Sequence, residues 1–156
     1  MTRKTTSAAK MALLGNIDLF IECTKKELAQ IASISTEYDA VAGQVLAQEG
    51  QPGAEFFIIV DGEATASRNN VVLATLTSTD FFGELALLDG GSRTATVKAE
   101  TNMHLLVLSR GEFGQLCRTY PSVSYRMLKG LGGRLRQADE MIVAAGDPDF
   151  SGHITV

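Results

Sequence analysis

Apolar residues fall at helical spacing near both ends of the chain and in short alternating runs through its middle. The first ten residues are rich in Thr, Ser, Lys and Arg and read as a loose tail, while residues 11–20 are apolar at helical spacing. Thr24-Lys25-Lys26-Glu27 fits a capping box, in which the Thr24 hydroxyl accepts from the Glu27 amide and the Glu27 carboxylate reaches back. The helix it opens carries Leu28, Ile31 and Ala32 on one face. From Tyr38 the pattern shortens. Val41, Val45-Leu46 and the runs 56–60, 64–67, 71–76, 95–99 and 104–108 read as strands, punctuated by glycines at 43, 50, 53, 62, 83, 90 and 91. Asp61-Gly62 and Asn69-Asn70 read as turns between strands. Helix returns after Leu108. Ser109-Arg110-Gly111-Glu112 repeats the capping-box spacing ahead of Phe113, Leu116 and Cys117. Pro121 suits the first turn of another helix, on which Met127, Leu131, Leu135, Ala138 and Ile142 share a face.

Many short strands with glycine corners predict a β-barrel or jelly roll, flanked by helices, rather than a parallel sheet. One folded domain is expected over residues 15–142, with tails at 1–14 and 143–156. The three glycines at 130, 132 and 133 fall inside the last helix, where each costs about 1 kcal/mol relative to Ala. They permit either close helix packing or a loosely wound helix, and the sequence does not choose.

Composition narrows the function classes. At 156 residues and 45% apolar the chain suits one domain with a real core. A net charge of −4 argues against bulk nucleic-acid binding, which wants a basic surface, but not against one small anion held by a local arginine. Cys23 and Cys117 have no metal or redox spacing and read as reduced, buried thiols at helical positions. No apolar signal core follows the N-terminus, and the longest apolar run, 56–60, is far too short to span a bilayer, so a cytoplasmic location is expected.

The stretch 81–97, FFGELALLDGGSRTATV, concentrates the candidate chemistry. Gly83 precedes a short helical run, 84–88, and Gly90-Gly91 turn the chain back to Arg93 and Thr94 ahead of a strand. The amides of Leu85 and Ala86 at a helix start form an anion site. Arg93 offers a bidentate fork to phosphate oxygens, Thr94 a hydroxyl, and Glu84 an acceptor suited to a sugar hydroxyl. Taken singly, the glycines read as turns, Glu84 as a helix-start charge and Arg93 as a surface cation or a partner of Glu84. Their combination within about fifteen residues shifts the reading toward a phosphate and a ribose, without naming the ligand.

FGELALL, four residues, then RTATV resembles the phosphate-binding cassette of the cyclic-nucleotide-binding domain family, which includes catabolite activator protein and the regulatory subunits of cyclic-nucleotide-dependent kinases. The resemblance covers roughly residues 15–140, and Gly43, Gly50 and Gly62 fall where that family places roll-corner glycines. It implies an α+β, mainly β fold: an eight-stranded, jelly-roll-like β-roll flanked by an N-terminal helix and two C-terminal helices. It implies that Glu84 accepts the ribose 2′-hydroxyl, Gly83 admits the backbone, the Leu85 and Ala86 amides bind the cyclic phosphate, Arg93 pairs with its charge, and Thr94 touches phosphate or base. Ala95 completes the ligand-binding set. The resemblance makes the last helix a lid, with Leu135, Ala138 and Asp139 as base or lid contacts, whereas its apolar face from Met127 to Ile142 by itself reads as core packing or a homodimer seam. Catabolite activator protein offers hydroxyl side chains to adenine there, where this chain has Ala138 and Asp139.

The implied function is that of a stand-alone sensor or regulatory domain with cAMP as ligand. The alternatives are a cGMP-preferring sensor and a ligand-free interaction module of the same fold. Thr94 bears on the first, since kinases resembling this family use Thr at that position for cGMP, while bacterial relatives pair Ser or Thr there with cAMP. Ending at Val156, the chain is expected to lack the DNA-reading helix-turn-helix of catabolite activator protein and to act through another protein chain. A cupin-type metalloenzyme needs several histidines around one metal, and only His104 and His153 are present. Catalysis, a metal site and a cofactor are not expected, and His104 reads as an ordinary strand residue.

Overall fold

The computed structural model describes residues 4–88 and 90–145. Helices α1 (Ser7–Gly15) and α2 (Lys25–Ile34) flank a 3-10 turn at Asp18–Phe20. Eight strands follow: β1 (Thr36–Ala40), β2 (Val45–Ala47), β3 (Glu55–Asp61), β4 (Ala64–Arg68), β5 (Val71–Leu76), β6 (Phe81–Phe82), β7 (Thr96–Ala99) and β8 (Met103–Ser109). The short helix α3 (Leu85–Leu88) sits between β6 and β7, and α4 (Arg110–Thr119) and α5 (Pro121–Ala145) end the described chain. The strands form two antiparallel four-stranded sheets, β1-β8-β3-β6 and β2-β7-β4-β5, so the expected eight-stranded roll with flanking helices is the observed fold class.

β3 explains why 56–60 is one unbroken apolar run. Phe56 and Ile58 face the helices and join Leu14, Ile17, Phe20, Ile31, Leu106, Leu108, Phe113 and Val123 in one core. Phe57 and Ile59 point the other way, into the roll, with Ala64, Phe82, Val97, Ala99, Met103 and Leu105. A strand covered on both faces loses the alternation of a half-exposed one. Phe57 and Phe82 also stack at 4.8 Å between ring centroids, holding the two-residue β6 in place.

Several expectations need correction. The first strand is Thr36–Ala40 and stops before Val41, which is exposed. Its sequence, TEYDA, has one buried residue, Ala40, so it shows no hydrophobic period; pairing with β8 makes it a strand. The tail 1–10 is not loose throughout, because α1 starts at Ser7, where the Thr6 hydroxyl accepts from the Ala9 amide at 3.1 Å. That cap is worth about 1 kcal/mol, and fully buried Leu14 anchors the far end of the helix. The tail boundary at 14 therefore falls within a helix. At the other end α5 continues through Ala145, past the expected boundary at 142, and residues 146–156 lie outside the described residues. The proposed common face of α5 splits: Met127 is buried and Leu131 packs on the core, but Leu135 and Ala138 are exposed.

The capping box at Thr24 is present in both halves, with Thr24 N–H donating to Glu27 Oε1 at 2.8 Å and Glu27 N–H to Thr24 Oγ1 at 3.2 Å. At Ser109 the hydroxyl accepts from the Glu112 amide at 3.3 Å. Asn69 and Asn70, at φ 51° and 64°, take the left-handed pair of a tight hairpin between β4 and β5. The glycines of α5 divide in role. A Cβ at Gly130 would stand 2.4 Å from the Asp18 carbonyl oxygen, so this glycine lets α5 lie on the 3-10 turn. Gly132 and Gly133 face open space. Cys23 and Cys117 are free and half-buried against the helical core; burial pushes the Cys23 thiol up to about 11, with Glu27 adding to the effect.

Candidate ligand-binding site

The cassette is assembled by anchors on both sides of its turn. Phe82 pairs with Phe57 across β6 and β3, fixing the chain as it leaves the sheet. Gly83 follows at φ +82°, and a Cβ there would meet Arg93 Nη1 at 2.5 Å and the Glu55 carbonyl oxygen at 2.8 Å. Glu84 closes the first turn of α3 by accepting from the Leu87 amide at 3.1 Å, and Leu87 is buried in the helical core. The first amides of a helix, here those of Leu85 and Ala86, have no partner inside it. Gly90 then reverses the chain at φ +66°, directly beneath the Arg110 guanidinium. Arg93 N–H donates to the Gln51 carbonyl at 2.8 Å and the Gly50 N–H to the Arg93 carbonyl at 2.9 Å, zipping the cassette's end onto residues 50–52.

That zip drives the Arg93 side chain into a slot. Its side chain is 8% exposed. Nη1 donates to the Glu55 carbonyl oxygen at 2.8 Å, Nη2 stands 3.4 Å from Glu55 Oε2, and the guanidinium lies 5.8 Å from the Phe57 ring centre. A Cβ at Gly53 would fall 2.0 Å from Arg93 Nε, so two glycines, 53 and 83, make the room. Burial holds the guanidinium below the usual arginine range, and the Glu55 charge offsets only part of that. Glu55 is itself 50% exposed, so its carboxylate is screened by water.

A pocket of about 450 Å³ opens beside this slot. Gly83, Glu84, Leu85, Arg93, Thr94 and Ala95 line one side, and Ala66, Arg68, Leu73, Ala74, Leu76 and Val97 line the sheet side. The fold thus brings together six of the residues expected from the sequence; Ala86 lies within α3 beside them. Leu135, Ala138 and Asp139 do not line it: they sit on α5, where Leu135 is exposed and Asp139 buried. Sequence reasoning missed Gly53, Glu55 and Arg68. Arg68 projects from the end of β4, and its Nε donates to the Thr94 carbonyl at 2.7 Å. No local motif marks these three, since only the pairing of β4 with β7 and the zip at 50–52 carry them to the cassette.

The pocket therefore offers two guanidinium groups, one carboxylate, hydroxyl and amide donors, and an apolar sheet wall. That suits a ligand with an anion at one end, a hydroxylated middle and a flat apolar body. Among the described residues no cluster of three or more His, Cys, Asp or Glu is arranged to hold a metal, and no helix is long and apolar enough to cross a membrane. His153 lies outside the described residues.

A sequence profile described as the cyclic nucleotide-binding domain matches residues 39–120. A cGMP-dependent protein kinase of Caenorhabditis briggsae is 35% identical over 113 residues, which are 70% of this chain and 15% of the kinase. The N-terminal domain of a transcriptional regulator from Streptomyces coelicolor A3(2) superposes with a TM-score of 0.76 at 28% identity, over 82% of this chain and 95% of that one. The regulatory domain of Toxoplasma gondii PKA, crystallised with cAMP, gives a TM-score of 0.68 at 27% identity, over 74% of this chain and 46% of that one. Across five curated relatives that it matches, this chain spans between 12% and 31% of their length.

Proposed function

Because this chain belongs to the cyclic nucleotide-binding domain family, we propose that its pocket holds a cyclic mononucleotide and that the domain is a regulatory, non-catalytic sensor. Arg93 pairs with the cyclic phosphate, joined by the Leu85 and Ala86 amides. Glu84 accepts from the ribose 2′-hydroxyl, Gly83 admits the sugar–phosphate edge, and Thr94 and Ala95 floor the passage toward the base. The purine lies against Leu73, Ala74 and Leu76. One observation carries this reading: a buried guanidinium, held below its usual range and only part-compensated, opens onto a pocket whose facing carboxylate is Glu84. An entering phosphate supplies the missing negative charge. Equilibrium binding of labelled cAMP to the wild type and to Arg93→Ala tests it, and absence of saturable binding to the wild type sinks it.

cAMP is the ligand of the first reading, in keeping with a Thr94 hydroxyl that serves phosphate alone. A second reading, cGMP, draws on Arg68. Its guanidinium lines the sheet wall, and an arginine fork matches the O6 and N7 acceptors of guanine, whereas adenine presents an amino donor in place of O6. Competitive titration of both nucleotides, repeated on Arg68→Ala and Thr94→Ala, separates the two. A cGMP preference lost in either variant selects the second reading, and a cAMP preference unchanged in Arg68→Ala selects the first. Output passes through another protein chain or a second copy. The exposed side chains Tyr125, Leu128 and Leu135 of α5 are the surface for either, or for closing over the base.

A further inference from the structure

The start of the N-terminal helix meets the roll at a cluster built around one imidazole. His104 lies on β8, with Nδ1 2.7 Å from Asp39 Oδ1 and Nε2 3.1 Å from Glu37 Oε1. Both carboxylates come from β1, where Asp39 stands opposite His104 in the ladder and Glu37 lies two residues away on the same face. Thr5 completes the cluster. Its hydroxyl is 3.2 Å from His104 Nε2, and its backbone N–H donates to Glu37 Oε1. One carboxylate oxygen therefore serves both the imidazole and the backbone of the residue just before the Thr6 cap of α1.

The proton count matters here. A neutral imidazole has one N–H, so it satisfies one of two carboxylates; only the imidazolium donates to both. A neutral ring turns a lone pair toward a carboxylate oxygen. The surroundings sharpen the contrast. Asp61 of β3, opposite His104 in the other ladder, lines the same cleft of about 480 Å³, as do Lys4, Thr5 and Thr6. The charged groups around the ring are thus Glu37 and Asp39 from β1, Asp61 from β3, Lys4 from the N-terminal segment and Lys10 from α1, which also draws Glu37 down.

We propose that His104 is a proton-operated latch, which as an imidazolium clamps the start of α1 to β1 and β8 and on deprotonation lets that segment go. Although burial opposes the charge, Asp39 and Glu37 outweigh it and hold the ring above its usual 6.5, so the latch opens on the alkaline side of that value. Release is confined to the first turn of α1, because Leu14 at its far end is fully buried in the helical core. The latch stands apart from the nucleotide pocket and does not depend on it.

Nitrogen-15 NMR of the full chain, titrated between about pH 6 and about pH 9, tests this. The His104 ring should titrate with a midpoint above 6.5. The backbone amides of Thr5, Thr6 and Ala9 should lose order with the same midpoint, while that of Leu14 stays rigid. Glu37→Gln should lower the midpoint, and His104→Gln should leave the N-terminal amides equally mobile at both ends of the range. A midpoint at or below 6.5, or N-terminal amides as rigid at high pH as at low, overturns the proposal.

Discussion

Arg93 and His104 are both basic groups with little exposure, 8% and 13%, and their surroundings treat them in opposite ways. Arg93 is buried more deeply than it is compensated: a carbonyl at 2.8 Å and one half-exposed carboxylate at 3.4 Å leave it below its usual range. His104 has two carboxylates at 2.7 and 3.1 Å and is held above its usual range. The first arrangement has room for an outside anion, as the proposed function requires. The second is complete within the chain. On the readings proposed above, the first charge answers a ligand and the second answers the chain's own N-terminal segment.

The largest expected effect follows from Arg93. Arg93→Ala should weaken cyclic nucleotide binding by at least about tenfold, because truncating one member of a desolvated charge pair costs about 2–5 kcal/mol. Calorimetric titration reads it, with the thermal transition confirming a folded variant. Equal affinity in mutant and wild type breaks the comparison at its root, since Arg93 would then need no anion.

Next in size is the sugar. A 2′-deoxy cyclic nucleotide lacks the hydroxyl that donates to Glu84 and should bind about 1.5–3 kcal/mol more weakly than its ribose parent, the worth of a hydrogen bond to a charged group. Glu84→Ala should erase most of that difference. If ribo and deoxy ligands bind the wild type alike, Glu84 does not read the sugar and the pocket's polarity has another use.

The His104 side of the comparison is tested through pH. Its raised value means that its stabilisation is full below the unfolded value of 6.5 and is lost as pH rises through the higher folded value. Glu37 runs the other way. Thr5 donates to it and His104 and Lys10 draw it down to about 2, so its contribution is full above 4.5 and fades as pH falls toward about 2. The cluster stabilises most between 4.5 and 6.5. His104→Gln should cost about 1 kcal/mol in that window, after discounting for half-exposed Asp39, and progressively less above it. Denaturant midpoints at several pH values decide it, and a loss that does not change with pH would deny His104 its charge.

The smallest effect concerns Glu55. Its carboxylate stands near the expected phosphate, and Glu55→Gln removes a negative charge while the backbone carbonyl keeps its bond to Arg93. Affinity should rise, by less than about 1 kcal/mol and less at high salt. A fall instead would make the Glu55 carboxylate the group that aims Arg93.

Two of these four residues stood out before the fold was known, and the difference is one of range. The roll class, its helical flanks and the cassette from Gly83 to Ala95 were legible because each depends on near neighbours: capping at Thr24, a left-handed asparagine pair at 69–70, glycines beside a short helix, and Arg93 a few residues from Glu84. What tertiary structure decided lies in long-range pairing. TEYDA became a strand only because β8 lies beside it, and the same pairing gathered Glu37 and Asp39 around His104, which looked like an ordinary strand residue. Closure of β4 onto β7 placed Arg68 at the pocket, and the zip at 50–52 set Gly53 and Glu55 around Arg93. Packing of α5 on the 3-10 turn likewise separated Gly130, which has no space for a side chain, from Gly132 and Gly133, which do. Local spacing shows what a residue can do; whether a buried charge faces one half-exposed carboxylate beside a pocket or two carboxylates at close range depends on strands that meet across tens of residues.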